Sequence, residues 1–178
     1  MKEIILVRKA IKGDKNAFEE LLILHSDQLY RTAYLYVGNR EDALDVVQET
    51  ACKGLLSVKQ IRDEKFFLTW LTRILIHCAY DVLNKKKKEI PIEKWIDHSP
   101  AKRVKHVERI DLVEAISRLN EHYRNAVILF YYQDLPISEV ATIMDIPENT
   151  VKTYLFRGKS QLKKLLGGVE YNGEETIS

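Results

Sequence analysis

The residues best suited to a chemical role lie near the C-terminus, on one side of a predicted helix. They are Asn149, Lys152, Thr153, Phe156 and Arg157. At 3.6 residues per turn they share one face, and Val151 and Leu155 share the other. On a face exposed only to water, an aromatic side chain such as Phe156 is unfavourable. In a DNA major groove, by contrast, Lys and Arg reach guanine or phosphate and an apolar side chain packs on a thymine methyl. The face therefore predicts DNA contact; the alternative is an amphipathic surface helix with an incidental Phe.

The segment before this helix has the pattern of a helix-turn-helix. A short helix over 137–144 turns Val140 and Ile143 inward. Asp145 follows where the turn needs a left-handed residue, a conformation that Asp tolerates better than most residues. Pro147 suits the first turn of the next helix. In this motif the second helix enters the major groove, so the helix over about 147–166 is predicted to read DNA.

An acidic face is predicted on an earlier helix, over 40–58. Asp42, Asp45, Gln48 and Glu49 lie on it, opposite an apolar side that includes Ala43 and Val47. Like charges at this spacing repel one another on a free helix. The face is therefore either a solvated surface or a docking surface for a basic partner, and the residues alone leave both open.

The next helix, predicted over 66–84, carries a basic line opposite its apolar side. Arg73, His77, Tyr80, Asn84 and Lys88 follow one another at three-to-four spacing, and Lys85 begins a run of four lysines. Such a line suits contacts to phosphate and stacking on exposed bases. The alternative is a solvated helix end whose cations are favoured by the helix dipole.

Composition and periodicity predict an all-α protein with two small helical domains. The chain has 178 residues, 46% of them hydrophobic, with only seven Gly and four Pro. We expect a first domain over 1–89, a linker over 90–108, a helix-turn-helix domain over 109–166 and an acidic mobile tail over 167–178. The predicted helices cover 4–11, 15–37, 40–58, 66–84, 110–119, 122–134, 137–144 and about 147–166.

The same sequence argues against several functional classes. No apolar run approaches the roughly 20 residues of a membrane span, so we expect a cytoplasmic protein that is not embedded in a membrane. Its two cysteines are expected to be reduced, and no metal or cofactor site is predicted. Neither a nucleophile with a base nor a phosphate loop is present, so we expect no enzymatic activity.

Four motifs together resemble the extracytoplasmic-function (ECF) class of bacterial sigma factors. They are Gly13-Asp14 with Ala17 to Leu22, Glu41 to Thr50, Thr69 to Leu83 with the lysines that follow, and Leu119 to Tyr132 with the helix-turn-helix. The order and spacing of the motifs carry the resemblance, which covers almost the whole chain. It implies a protein that binds RNA polymerase core and directs promoter-specific initiation, in an envelope or stress response.

The resemblance also implies roles for the faces found above. Asp42, Asp45, Gln48 and Glu49 would bind the clamp helices of the polymerase largest subunit. The helix from Phe66 and the loop 59–65 would read and open the minus-ten element, and Lys152, Thr153, Phe156 and Arg157 would read the minus-thirty-five element. An anti-sigma partner is implied as well.

Some positions depart from the family pattern. Asp145 and Asn149 stand where Gly is usual, and Gly158 replaces a common Ala. The competing interpretations are a two-domain helix-turn-helix regulator that acts without polymerase, and a helical enzyme or signalling module.

Overall fold

The computed structural model describes residues 2–89 and 111–167, and every described element is helical. The N-terminal part contains α1 (Lys2–Ile11), α2 (Lys15–Val37), α3 (Arg40–Ser57) and α4 (Phe67–Glu89). Two short 3-10 turns, Val58–Gln60 and Glu64–Phe66, connect α3 to α4. The C-terminal part contains α5 (Leu112–Ser117), α6 (Glu121–Val127), α7 (Ile137–Met144) and α8 (Glu148–Leu165). The all-α prediction is confirmed, whereas the predicted linker and almost all of the predicted tail lie outside the described residues.

Polar caps set the helix boundaries in the N-terminal part, as the sequence predicts. The Asp14 carboxylate accepts hydrogen bonds from the backbone N–H groups of Asn16 and Ala17, which would otherwise lack partners at the start of α2. Gly38 ends α2 in the left-handed conformation, with φ 76°. Asn39 then caps α3 by accepting from the N–H of Asp42.

The N-terminal core forms where α2 packs against α1, α3 and α4. Its largest fully buried side chains include Phe18, Leu21, Phe67, Leu71 and Leu75. By length and composition alone, the segment Glu64–Lys88 is apolar enough to cross a membrane. Its apolar side is the centre of this core, which accounts for that composition without a bilayer.

The helix predicted over 122–134 is not continuous. The α-helical hydrogen bonding of α6 ends at Val127, and Ile128–Tyr132 forms a π turn. The N–H of Gln133 donates to the carbonyl of Ile128, five residues back, and Asp134 follows with φ 54°. A π turn inserts one residue into the helical repeat, whereas the prediction assumed an uninterrupted α-helical period over 122–134.

The two parts of the chain pack against each other. One hydrophobic cluster runs through both, from Leu71 and Leu75 in α4 to Ile128 and Val140 in the C-terminal part. α4 contacts α7, and α2 contacts α5 and the π turn. The described part of the chain is therefore closed, with the helix-turn-helix seated on the N-terminal helices.

Candidate nucleic-acid and protein interfaces

The helix-turn-helix presents the outer face that its sequence predicts. Asp145 ends α7 in the left-handed conformation, with φ 54°, and its N–H donates to carbonyls of α7. Along α8, Val151, Leu155 and Gly158 are buried. The opposite side is exposed and carries Asn149, Lys152, Thr153, Phe156 and Arg157. Phe156 is 76% exposed, so nothing within the described fold accounts for an aromatic ring at this position.

Gly158 sets how closely α8 approaches α6. A Cβ atom at this position would lie 2.9 Å from Cγ2 of Val127 and 3.3 Å from Cβ of Tyr123. The first distance is shorter than real Cβ contacts, so an Ala at this position would require Val127 or α8 to shift. One turn earlier, the ring of Tyr154 stacks on the ring of His122 with 5.4 Å between centroids.

The outer face of α4 exposes the predicted basic line. Arg73, His77, Asn84 and Lys85 are all exposed. Arg73 is nevertheless engaged, because its Nη2 donates to the carbonyl of Thr142 at 2.6 Å and its Nε to that of Ile143 at 3.3 Å. These carbonyls end α7, where unpaired acceptors and the helix dipole favour a cation.

Beside Arg73 lies a cleft of about 280 Å³ between the two parts of the chain. Its lining residues are Gln60, Ile61, Arg62, Asp63, Phe66, Thr69, Trp70, Arg73 and Thr142. The cleft contains two aromatic rings, those of Trp70 and of Phe66, and Phe66 is 48% exposed. It also contains the guanidinium groups of its two arginines. Aromatic rings and guanidinium groups are the side chains that stack on unpaired bases and hydrogen-bond to them.

Phe66 and Trp70, which line this cleft, were not among the predicted site residues. The sequence prediction made Phe66 the first residue of a helix and assigned Trp70 to the core. Nothing in the local pattern separates Phe66 from Phe67, because adjacent helical residues can both be buried, as Leu75 and Ile76 are. In the structure Phe67 is 1% exposed and Phe66 is 48% exposed.

Three of the four predicted acidic-face residues form one exposed stripe on α3. Asp45, Gln48 and Glu49 are exposed along it, and Leu44 and Leu56 are 49% and 85% exposed beside them. Glu49 lies 3.5 Å from Nζ of Lys53, an exposed i,i+4 pair of small energetic value. The stripe therefore has both exposed acidic groups, which a partner can reach, and exposed apolar surface.

The placement of Asp42 on that stripe is wrong. Asp42 is only 9% exposed, because it lies in the first turn of α3 beside the buried Ala43 and Val46. Its carboxylate accepts hydrogen bonds from Asn39 and from Lys86 of α4. Burial alone would raise the pKa of Asp42, but these hydrogen bonds and the charge of Lys86 outweigh it and lower the pKa. Asp42 thus joins α3 to α4, and one lysine of the predicted basic run faces this carboxylate.

The apolar side of α3 is correspondingly rotated from its prediction. Val46 is fully buried and Val47 only half-buried, so the core stripe runs through Ala43, Val46, Thr50 and Gly54. Asp45 and Glu49 remain on the far side. Among the described residues no group of three or more His, Cys, Asp and Glu side chains is placed to hold a metal ion.

Comparison with known proteins matches both parts of the chain. Residues 21–89 match the family model for sigma-70 region 2, and residues 109–162 match that for sigma-70 region 4. The chain is 37% identical over 134 residues to RNA polymerase sigma factor SigV of Bacillus subtilis, covering 75% of this chain and 81% of that protein. It is 31% identical over 164 residues to ECF RNA polymerase sigma factor SigM of Mycobacterium tuberculosis, covering 91% and 83% respectively. The chain belongs to the ECF RNA polymerase sigma factors.

Solved structures agree with this sigma factor in fold. CnrH, in complex with the cytosolic domain of CnrY, superposes with a TM-score of 0.72 at 20% identity, over 96% of this chain and all of that one. The sigma factor RpoE of Bartonella quintana, in complex with the anti-sigma factor NepR, superposes with a TM-score of 0.67 at 23% identity, over 86% of this chain and 98% of that one.

Membership of the family establishes the general function. This sigma factor binds RNA polymerase core and directs transcription initiation at promoters. The interpretation as a helix-turn-helix regulator that acts without polymerase is thereby set aside. Sigma factors are not enzymes, and the surfaces described above are the ones available for recognition.

Proposed function

We propose that this sigma factor binds the polymerase core through the exposed stripe of α3 and reads two promoter elements with α4 and α8. The core-binding residues are Asp45, Gln48 and Glu49, together with the exposed leucines beside them. Asp42 supports the stripe from within by holding the start of α3 against α4. The partner is the basic clamp-helix surface of the largest polymerase subunit.

The observation that carries this proposal is the composition of the α3 stripe. Isolated exposed leucines are ordinary on a protein surface. Here Leu44, Leu55 and Leu56 are 49%, 39% and 85% exposed on the same helix as two exposed acids. Apolar groups beside charges that set orientation are typical of a protein interface. A merely solvated face would have no reason to carry three leucines.

The cleft beside α4 is proposed as the minus-ten site. A base flipped out of the duplex costs a few kcal/mol of lost stacking, which pocket contacts and stacking on aromatic side chains recover. Phe66 and Trp70 supply the rings, and Arg62 and Arg73 supply cations. His77, Asn84 and Lys85 continue the exposed line along α4 and would follow the phosphate backbone.

The outer face of α8 is proposed to read the minus-thirty-five element as duplex. Lys152 and Arg157 reach phosphate or guanine, Phe156 packs on a thymine methyl, and Asn149 and Thr153 lie near the start of the helix, where base contacts concentrate. In this proposal the chain divides into a domain over 1–89 and a domain over 109–166. The linker over 90–108 joins the two DNA-reading sites in one molecule. Tethering raises the effective concentration of the second domain once the first has bound.

A protein partner and a cellular location complete the proposal. Because the similar folds of CnrH and RpoE were solved with the cytosolic domain of CnrY and with the anti-sigma factor NepR, an anti-sigma factor is a fitting inhibitor for this chain. The sigma factor would act in the cytoplasm, without enzymatic activity of its own, in an envelope or stress response. Promoter choice comes from recognition, and the polymerase makes the bonds.

Charge reversal on the stripe tests the core-binding assignment. Asp45→Lys with Glu49→Lys places two cations against a basic partner and should weaken core binding by tenfold or more, roughly 1.4 kcal/mol. Both side chains are exposed, so the thermal unfolding temperature should stay unchanged. The readout is affinity for purified core polymerase by fluorescence anisotropy.

A matched control separates the stripe from overall charge. Glu19→Lys with Asp27→Lys makes the same change at two exposed acids of α2 and should leave core affinity near that of the natural chain. Equal losses in both double variants would show a non-specific charge effect. Unchanged affinity of the α3 variant would remove the stripe from the interface.

A further inference from the structure

The segment that connects α3 to α4, residues 58–66, forms one side of the cleft beside α4. Five of the residues that line the cleft belong to this connecting segment, namely Gln60, Ile61, Arg62, Asp63 and Phe66. Its regular structure is confined to the two 3-10 turns, whose hydrogen bonds have poorer geometry than those of an α-helix. The position of these side chains therefore depends on what holds the segment from outside.

Helix α1 contacts both turns of the connecting segment. Val7 and Ala10 of α1 are 1% exposed, and Val58 of the first turn is 3% exposed in the same hydrophobic cluster. Just after α1, the side chain of Lys59 passes over Gly13, with its Cε 3.5 Å from where a Cβ atom of that residue would lie. Apolar packing and a lysine side chain thus hold the first turn against α1 and the residues that follow it.

A salt bridge holds the second turn. Arg8, in the last turn of α1, donates to Oε1 of Glu64 from Nε at 2.8 Å and from Nη2 at 2.5 Å. The hydrogen bond from Arg8 is the largest of the effects that lower the pKa of Glu64. Glu64 begins the turn that ends at Phe66, and Phe66 lines the cleft. One short turn therefore carries both a carboxylate bound to α1 and a ring presented to the cleft.

The exposure of this ion pair indicates a role in positioning rather than in stability. The side chain of Arg8 is 63% exposed and that of Glu64 is 26% exposed, and exposed ion pairs contribute little to the free energy of unfolding. Charge-assisted hydrogen bonds are nevertheless short and directional, so the pair can fix where the turn lies. Among the described residues that line the cleft, none belongs to α1. Arg8 therefore reaches the cleft only through Glu64.

We propose that Arg8 is a positioning residue for promoter reading, which acts through Glu64 to hold Phe66 and Arg62 in place against the flipped base. This role rests on the proposed function of the cleft as the minus-ten site. Base choice at the minus-ten element then depends on a residue of α1 that does not touch the base. Reading of the minus-thirty-five element by α8 is independent of it.

Neutralising either partner should reduce base discrimination at the minus-ten element and leave the minus-thirty-five element unaffected. In the holoenzyme, Arg8→Gln and Glu64→Gln should each lower the preference for the natural minus-ten bases over substituted ones by about tenfold, the size of effect that one mismatched base pair commonly has. The charge swap, Arg8→Glu with Glu64→Arg, should restore most of that preference, because the ion pair forms again with opposite polarity. The thermal unfolding temperature of each variant should stay close to that of the natural chain, since the pair is exposed.

The measurement is competition between promoter fragments for initiation by purified holoenzyme. The promoter is one mapped from transcript start sites, and each base of its two elements is replaced in turn. Lys9→Gln is the matched control, because it removes an exposed cation from the same last turn of α1. This control should leave base discrimination unchanged at both elements.

Three results would overturn the positioning role of Arg8. The first is unchanged minus-ten discrimination in both Arg8→Gln and Glu64→Gln. The second is an equal loss of discrimination at the two promoter elements, which would show damage to the whole chain. The third is a loss in Arg8→Gln that the charge swap does not restore, which would show that Arg8 touches DNA directly.

Phe66→Ala separates the positioning role from the minus-ten site itself. A loss of minus-ten discrimination in Phe66→Ala but not in the Arg8 and Glu64 variants would leave the cleft as the minus-ten site and remove only the role of Arg8. Unchanged discrimination in Phe66→Ala would remove the cleft from promoter reading, and the role of Arg8 with it.

Discussion

Replacing Phe156 with Ala should weaken promoter binding strongly and leave the fold intact. The side chain is 76% exposed, so of the roughly 200 Å² that an aromatic side chain offers, about 150 Å² faces solvent. Burying about half of that area against a thymine methyl is worth roughly 2 kcal/mol at about 25 cal/mol per Å². We therefore expect about a 30-fold loss in affinity of the holoenzyme for its promoter, measured by competition between promoter fragments.

The control for this prediction is another exposed aromatic residue in the same part of the chain. Tyr131→Ala removes a ring that is 47% exposed and lies outside α8, and it should leave promoter affinity unchanged. Phe156→Ala should change the free energy of unfolding by less than about 0.5 kcal/mol. A large loss of stability, or promoter affinity equal to that of Tyr131→Ala, would refute the argument that Phe156 faces a base.

Arg157→Ala should cost about 1–3 kcal/mol in promoter binding if the guanidinium contacts a base. Substituting the bases of the minus-thirty-five element one at a time should then show a single position at which the variant no longer distinguishes the bases. An equal loss of affinity on every sequence would indicate a phosphate contact instead. Asp145→Gly should raise the free energy of unfolding, measured by chemical denaturation, by about 0.5–1 kcal/mol. The reason is that φ is 54° at this position and Gly adopts that angle without strain. A lower free energy of unfolding would show that the Asp side chain is needed. Asp42→Asn should lower stability above pH 5 by no more than about 1 kcal/mol, since Lys86 is 54% exposed. The pKa of Asp42 is lower in the folded state than in the unfolded state. The contribution of its carboxylate to stability is therefore complete above the unfolded-state pKa and is lost as the pH falls through the folded-state pKa. The unfolding temperatures of Asp42→Asn and of the natural chain should thus converge in acid. A difference that persists in acid would contradict the ion pair.

Local signals predicted most of the helical framework. Asp14 and Gly38 bound α2 as expected, because capping depends on residues close in sequence. The left-handed Asp145 and the exposed Phe156 were predicted for the same reason, since both follow from positions within one motif. The family resemblance, confirmed by the two matching family models, supplied the order of the two parts.

Features that depend on distant residues could not be predicted. Asp42 has the same charge as Asp45, and only the approach of Lys86 from α4 shows that it is buried. The π turn after Val127 packs against α2, a contact between residues far apart in the sequence, and the sequence analysis predicted an ordinary helix there. The contacts of Gln133 with Thr32 join residues 101 positions apart, so the closed arrangement was beyond any local pattern.

Run-off transcription with purified core polymerase tests the central claim most directly. The template carries a promoter obtained by mapping transcript start sites in cells that overproduce this sigma factor. The account predicts one specific transcript that appears only when core and sigma factor are both present, and that is lost with Asp45→Lys and Glu49→Lys. Transcription from the same start by core alone, or duplex binding by the chain without any initiation, would contradict it.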